Sequence, residues 1–358
     1  MATTGLLSNL ARYFRSKPPS LEIGKELSRG AYGAVHSGRL DGGEVAVKRI
    51  HRLLLEAARE QGESENVLSD FQCECELHER LDHPHVVKFK GAFYDEATNE
   101  PILVMELMTE TLRQYLLRNR SQLSRQKQLE ICVSIVRGVH FLHAHTPPIV
   151  HRDLTDKNVL LDANGVVKIS DLGQSRLKIV EYFNTATPGA IPFMPPEAMV
   201  ADSSYNEKLD IFSLGVLVLE VATQQFPCVG LVGIGTIPEL QRRRENLSKL
   251  DDDHPLRPVI LSCLKDNPKE RPDIATVLTQ LLAMLERFDV CFYNTSICTL
   301  FSMHIFFHMC DVHAWIHGCT SITCSQCCSS LVLGSCWLLT LYALVCLWSL
   351  MSDHCLPL

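Results

Sequence analysis

The sequence predicts an α+β domain in two parts, a strand-rich stretch of about 90 residues and a helix-rich stretch of about 180, followed by a tail of different composition. Three observations predict this. Gly24, Gly30, Gly33, Gly38, Gly42 and Gly43 punctuate apolar and β-branched residues over 21–50, as tight turns punctuate strands. Apolar residues recur at threes and fours between Ser124 and His143, as on an amphipathic helix. All 34 Lys and Arg lie at or before Arg287, whereas ten of the fifteen Cys follow residue 289.

Composition excludes several classes. The chain is 21% charged and 46% apolar, which is not the composition of a disordered polymer. Its formal charge is −7, and residues 1–288 alone carry 38 acids against 34 bases, a charge of −4. No nucleic-acid partner held by a basic face is expected. Residues 1–19 hold no long apolar core, so no secretory signal peptide is expected. Cys73, Cys75, Cys132, Cys228 and Cys263 read as reduced thiols rather than disulfides.

The elements follow in order. Glu44-Val-Ala-Val-Lys48 alternates with period two and reads as a half-buried strand. Residues 52–81 turn helical, with a polar interruption over 61–66. Pro101-Ile-Leu-Val-Met105 is a short apolar run of strand length. Asn158-Val-Leu-Leu161 and Val166-Val-Lys-Ile169 flank Asp162-Ala-Asn-Gly165, a hairpin signal. Asp210 to Ala222 is apolar nearly all round, which predicts a helix buried within a large domain. A further helix spans Leu278 to Leu285.

Four segments carry chemistry. Ser28-Arg-Gly30-Ala-Tyr-Gly33-Ala-Val35 lies between two strand signals; glycines there let backbone N–H groups close over phosphates, although such turns are also plain hairpins. Lys48 ends the next strand and needs an acid to fix its stem. Glu74 is the candidate on the following helix, with Glu76 and Glu79 as neighbours. In His151-Arg-Asp-Leu-Thr-Asp-Lys-Asn158 a carboxylate stands five residues before an amide, an acceptor for a hydroxyl proton beside a metal-binding oxygen. Asp171-Leu-Gly173 follows thirteen residues after Asn158 and adds a second hard oxygen, suited to Mg²⁺.

This ordered set, completed by Pro195-Pro-Glu197, Asp210-x-x-Ser-x-Gly215 and Arg271 in Lys269-Glu-Arg-Pro272, resembles the eukaryotic protein kinases over roughly residues 21–287. The resemblance implies a two-lobed fold, with a small antiparallel-sheet N-lobe over about 19–105 and a large helical C-lobe over about 109–287. Residues 1–18 precede it and 288–358 form a Cys-rich hydrophobic tail. It implies transfer of the ATP γ-phosphoryl group to a hydroxyl of a protein substrate, with ATP and Mg²⁺ as cofactors. By position, Lys48 holds the α/β-phosphates and pairs with Glu74, Asp153 is the base, and Asn158 and Asp171 hold Mg²⁺. Ser28, Gly30 and Gly33 form the phosphate loop. Val35, Ala46 and Leu160 sandwich the adenine, Glu106 and Met108 offer it backbone groups, and Met105 stands at the gatekeeper position. Arg271 pairs with Glu197.

Departures from the family pattern bear on details. Ser28 replaces the first loop glycine, Leu172 the usual Phe, and Pro195 the usual Ala. His78 stands where Leu or Met usually fills a regulatory hydrophobic stack, and its ring nitrogens need partners. None of these removes a charge that the chemistry needs; the alternative is a catalytically weak scaffold of the same fold. Thr155 and Ala190 replace a Lys and a Thr typical of Ser/Thr kinases, and Lys157 stands where many tyrosine kinases have Arg. Pro192, however, replaces a basic residue usual in tyrosine kinases. The resemblance is thus to the tyrosine-kinase and tyrosine-kinase-like branch, leaning narrowly to Tyr as acceptor. Arg152 beside Asp153 implies an activating phosphate, with Ser175, Tyr182, Thr185 and Thr187 as candidate acceptors.

Leu331 to Met351 is 21 residues without a charge, enough to span a hydrocarbon core of ~30 Å. The expectation is a cytoplasmic kinase domain with a tail anchor at 331–351; the competing reading is an apolar run added by a misjudged gene boundary. Cys324 and Cys327 offer half of a zinc site, with no second half after them.

Overall fold

The chain divides into two units, Met1–Phe288 and Asp289–Leu358, and every described residue belongs to the first. This computed structural model describes residues 14–30, 33–50, 56, 60, 64–95, 97–98, 100–120, 122–174, 176–177, 191–199, 206–226 and 245–288.

Alternation drives the first half. Strands β2 (Glu22–Arg29), β3 (Gly33–Leu40) and β4 (Gly43–Ile50) form a meander, joined through β4 to β6 (Glu100–Glu106) and then β5 (Phe89–Asp95). Val45 and Val47 on one face of β4 pack with Leu21, Ile102 and Val104. Ile50, Leu103 and Met105 belong to a second cluster with Phe71 and Cys75 of helix α1 (Ser64–Glu79). Period-two geometry puts Lys48 and Ala46 on the Ile50 face of β4, the face that α1 covers. Gly33 is required where β3 crosses β4: a Cβ there would lie 2.2 Å from the Arg49 carbonyl oxygen.

Two differences from the sequence expectation concern this half. The sheet is mixed, not antiparallel throughout, because β1 (Arg15–Ser16) pairs in parallel with β5 and makes a six-stranded order β1-β5-β6-β4-β3-β2 among the described residues. A domain start at 19 therefore cuts through the sheet. Phe14 is 3% exposed and its ring centroid lies 6.3 Å from that of Phe71, so the segment before 19 contributes to the core. The second difference is at α1, which begins at Ser64, inside the polar interruption; Ser64 and Glu65 are residue types that favour a helix N-terminus.

The second half is helical. Helix α2 (Leu112–Arg118) opens on a capping box between Thr111 and Gln114, after the short strand β7 (Glu110–Thr111). Helix α3 (Arg125–His143) starts at an N-cap, where the Ser124 side chain accepts the Lys127 N–H. Between α3 and the next long helix run β8 (Ile149–Val150), β9 (Val159–Leu161), β10 (Val167–Ile169) and β11 (Arg176–Leu177). β9 and β10 are antiparallel around a turn whose Gly165 has φ 77°, a left-handed backbone that favours glycine. Helix α4 (Lys208–Thr223) is buried on all faces from Leu209 to Val221, as its unbroken apolar run predicts. Helices α5 (Arg257–Cys263) and α6 (274–288) pack against the same core. No helix among the described residues is long and apolar enough to cross a membrane; the run 331–351 lies outside them.

Candidate active site

Lys48 joins three elements. Its Nζ donates to Glu74 Oε1 of α1 at 2.6 Å and to Asp171 Oδ1 at 2.8 Å, just beyond β10. Of the three acids on this part of α1 it is Glu74 that faces Lys48; Glu76 instead accepts from Gln72 at 2.7 Å. One ammonium thus stands between two carboxylates of unequal exposure, with the Glu74 side chain 5% exposed and that of Asp171 45%. The Lys48 charge holds the Asp171 carboxyl down to about 2, against the opposing effect of burial. Burial, helped by the charge of Asp171, raises Glu74 despite Lys48. Burial also works against the Lys48 ammonium, but the two carboxylates overcome it and raise its pKa.

The segment 151–158 is held from below. Asp210 of α4 accepts the backbone N–H of His151 at 2.8 Å and of Arg152 at 2.9 Å, and pairs with His143 Nε2 at 2.8 Å. Those bonds, led by that from His143, keep the Asp210 pKa low although burial opposes it. They also hold a strained backbone at Arg152, with φ 72°; Asp171 has φ 59°, and both are left-handed values that non-glycine residues rarely adopt. His151 Nε2 donates to the Ser170 carbonyl at 3.0 Å, and Ser170 N–H donates to the Asn158 carbonyl at 2.8 Å, so the segments bearing Asp153, Asn158 and Asp171 are tied side by side. Asn158 Nδ2 donates to Asp153 Oδ2 at 2.9 Å and to the Asp153 carbonyl at 2.8 Å. With its nitrogen so engaged, the amide oxygen of Asn158 is the atom left to face a cation. That oxygen and the half-exposed carboxylate of Asp171 are both hard donors, which fit Mg²⁺ and not a thiolate-seeking metal.

The remaining expected residues line the sheet side. Ser28 pairs with Val35 across the β2–β3 meander, and Gly30 N–H donates to the Gly33 carbonyl at 2.8 Å. Ala46 pairs with Met105 across β4 and β6 and is 7% exposed. Leu160 and Met108 are partly buried against the Met105 cluster. Glu106 donates its N–H to the Lys88 carbonyl at 3.0 Å, while its carboxylate takes Lys168 Nζ at 2.7 and 2.8 Å.

The family model for protein tyrosine and serine/threonine kinases matches residues 21–281. The chain belongs to the protein kinase family. Among relatives of this kinase domain, the probable serine/threonine-protein kinase SIS8 of Arabidopsis thaliana is 32% identical over 270 residues, covering 73% of this chain and 25% of the relative. The serine/threonine-protein kinase CTR1 of the same plant is 31% identical, covering 74% and 32% respectively. The dual specificity protein kinase splA of Dictyostelium discoideum is 31% identical, covering 74% and 11%. The chain thus spans a third or less of the length of these relatives. The family implies ATP as a substrate and a divalent metal.

Other features of the kinase domain follow the resemblance or add to it. Arg271, its side chain fully buried, forks onto Glu197 at 2.6 and 2.8 Å and lies over the Phe212 ring at 4.9 Å. Ser213 donates to the Phe193 carbonyl at 2.9 Å, and Gly215 packs so close to α5 that a Cβ would lie 2.7 Å from Cys263 Cβ. His78 is fully buried and neither ring nitrogen has a partner among the described residues; burial, with the Lys48 charge, lowers its pKa to about 3. Ser175, Tyr182, Thr185, Thr187 and Ala190 lie outside the described residues, as do Cys324 and Cys327.

Sequence reasoning missed two partnerships: His143 with Asp210, and Arg113 with Asp156, two residues before Asn158. The signal for His143 was present, a polar residue closing an otherwise apolar helix face. Asp156 and Glu220 carried none, because their partners lie 43 and 64 residues away.

Proposed function

We propose that residues 19–287, extended back to Phe14, act as an Mg²⁺- and ATP-dependent protein kinase. One observation carries the reading: Lys48 is bonded at once to Glu74 and Asp171 at 2.6 and 2.8 Å, which draws strand, helix and metal-side carboxylate together at one ammonium. In this reading Lys48 holds the α/β-phosphates, and Glu74 fixes its long stem. Gly30, Gly33 and Ser28 lay backbone N–H groups over the phosphates. Val35, Ala46 and Leu160 enclose the adenine. Met108 offers it backbone groups, and Glu106, its N–H already committed, offers the carbonyl. Asp153 accepts the proton of the attacking hydroxyl, oriented by Asn158. Asn158 and Asp171 would hold Mg²⁺, which when bound supplies neutralisation of phosphate charge. The chain's own contribution is positioning and preorganised charge.

The acceptor we propose is Ser/Thr. Thr155, Ala190 and Lys157 lean narrowly to Tyr, but Pro192 leans against it, SIS8 and CTR1 are named serine/threonine kinases and splA a dual specificity kinase. The test is label transfer from γ-labelled ATP by the full-length chain onto peptide libraries holding only Ser/Thr or only Tyr acceptors. Label on Ser/Thr that vanishes in Asp153→Asn supports the reading. Label on Tyr alone overturns the acceptor, and equal labelling by wild type and Asp153→Asn overturns the enzyme in favour of a scaffold. The tail anchor at 331–351 rests on its uncharged length. Alkaline-carbonate extraction of the full chain from membranes tests it, and release into the soluble fraction rejects it.

A further inference from the structure

We infer that Phe14 is a positioning residue for Glu74: seated against α1 from the segment before β2, it sets the depth at which that helix delivers the carboxylate to Lys48. The inference rests on the kinase reading above and extends it to residues that precede the family match at 21.

Glu74 has to be pressed inward. Its side chain is 5% exposed, and a carboxylate gains hydration by moving out, so α1 stays in place only if apolar contacts outweigh that pull. The helix supplies few of them towards the sheet. Phe71 and Cys75 are its buried apolar residues among those described, with Val67 and Leu68 partly buried in the same cluster. Val67, Phe71 and Cys75 recur at fours and so form one stripe. That stripe meets Ile50, Val87, Leu103 and Met105, and Phe14 completes the same cluster. Phe14 is 3% exposed and its ring centroid lies 6.3 Å from that of Phe71. Phe71 stands three residues before Glu74, so the two are neighbours on the helix surface, and a shift of one is passed to the other.

Phe14 is held where it can do this. Immediately after it, Arg15 pairs with Phe93 and Ser16 with Tyr94, and Lys17 N–H donates to the Tyr94 carbonyl at 2.9 Å. Leu21, 2% exposed, then packs on the opposite face of the sheet with Val45, Val47, Ile102 and Val104. The segment thus sets one apolar anchor on each face, and only that of Phe14 belongs to the α1 cluster. In the order β1-β5-β6-β4, Phe14 adjoins one outer strand and Lys48 lies on the other, so α1 is tied to the sheet at both sides: by an apolar contact at Phe71 and by an ion pair at Glu74. Emptying the Phe14 site frees the first tie and lets Glu74 withdraw from Lys48.

The experiment uses the full-length chain with Phe14→Ala, alone and combined with Glu74→Gln. Alone, Phe14→Ala should lower kcat/KM for ATP about tenfold; in the Glu74→Gln background it should change it by less than about twofold, since the contact it serves is already gone. An equal loss in both backgrounds overturns the positioning role, and so does an unchanged kcat/KM in Phe14→Ala alone. The second arm needs no turnover. Amide hydrogen exchange in α1 should quicken about tenfold in Phe14→Ala while that of α4 stays as in wild type. Leu21→Ala, a truncation on the face away from α1, should leave α1 exchange within about twofold of wild type. Unchanged α1 exchange in Phe14→Ala, or equal quickening in Leu21→Ala, overturns the proposal. If Phe14→Ala fails to fold, the smaller truncation Phe14→Val carries the same comparisons. A wild type without turnover sinks the kinase reading, and exchange in α1 alone then decides whether Phe14 sets the helix.

Discussion

Two places in this kinase domain set two acids against one base, and they resolve the same charge imbalance in opposite ways. Around Lys48 the acids are Glu74 and Asp171, and Asp171 keeps 45% of its side chain exposed. Around Arg113 the acids are Asp156 and Glu220, each 1% exposed. Both sites carry a formal excess of one negative charge. In the first, the exposed acid is held ionised at a pKa of about 2, so the excess remains available to a cation from solvent. In the second, both acids are buried and only the Arg113 side chain is partly exposed, and burial with the charge of Asp156 raises the Glu220 carboxyl well above the usual carboxylate range. Exposure of one carboxylate, not the count of charges, separates a ligand-ready site from a structural one.

The most severe way to break this contrast is Asp171→Asn. It leaves Lys48 paired with Glu74 and removes only the cation-facing charge. Phosphoryl transfer should fall by about 10³-fold or more, because charge stabilisation at the transferring group is lost. Initial rates of labelled-phosphate transfer at saturating ATP measure it. A loss no larger than that caused by Glu220→Leu would erase the distinction between the two sites.

A third buried pair sharpens the comparison, since Arg271 meets Glu197 one to one. Its guanidinium, fully buried, also donates to the Lys265, Asp266 and Lys208 carbonyls. With no excess charge there is nothing for a proton or a cation to correct. Glu197→Gln leaves the buried guanidinium uncompensated, which should cost about 3 kcal/mol in urea unfolding. A cost below 1 kcal/mol, as for exposed pairs, would show that the carbonyls alone satisfy Arg271.

The contrast also separates what the sequence revealed from what it concealed. Lys48 was legible because a period-two strand and a glycine-rich turn flank it, and Asp153, Asn158 and Asp171 because short spacings fix them relative to strand signals. Arg113, Asp156 and Glu220 were illegible because each looks like a solvent-facing charge until distant segments meet. Glu220 in particular sits in a run whose apolar character predicts a buried helix, but nothing in that run tells which distant side chain meets its carboxyl. Phe14 was missed for a similar reason, since nothing local announces that β1 will add to the far edge of the sheet.

His78 provides a smaller test of how buried polar groups are settled. As at Glu220, burial favours the neutral form, and both its nitrogens are unmatched among the described residues. Its folded pKa of about 3 lies below that of the unfolded chain, near 6.5, so on acidification the unfolded state binds the proton first. Its contribution is intact above pH 6.5 and is lost progressively as pH falls towards 3. At pH 5 this amounts to about 2 kcal/mol. His78→Leu should remove that slope and also stabilise the domain at pH 7.5, because two unmatched polar atoms leave an apolar site. Denaturant midpoints of the two proteins at pH 7.5 and pH 5 test both statements. Parallel pH profiles would mean that another group governs the acid limb.

The smallest expected effect is at Ser28, where the phosphate loop departs from glycine. Ser28 pairs with Val35 just past a register shift between Glu26 and Ser28, and it is not among the described residues with a left-handed φ, so its backbone has no need of the glycine conformations, and the close turn is left to Gly30 and Gly33. The crowding that demands a glycine is at Gly33, 2.2 Å from the Arg49 carbonyl oxygen by way of a hypothetical Cβ. Ser28→Gly should therefore change KM for ATP by less than about threefold, since it removes one hydroxyl and adds only local backbone freedom. A tenfold rise would place the Ser28 hydroxyl among the groups that bind phosphate. It would also extend the ligand-ready region from the Lys48 carboxylates on to β2, while the buried site around Glu220 stayed unaffected.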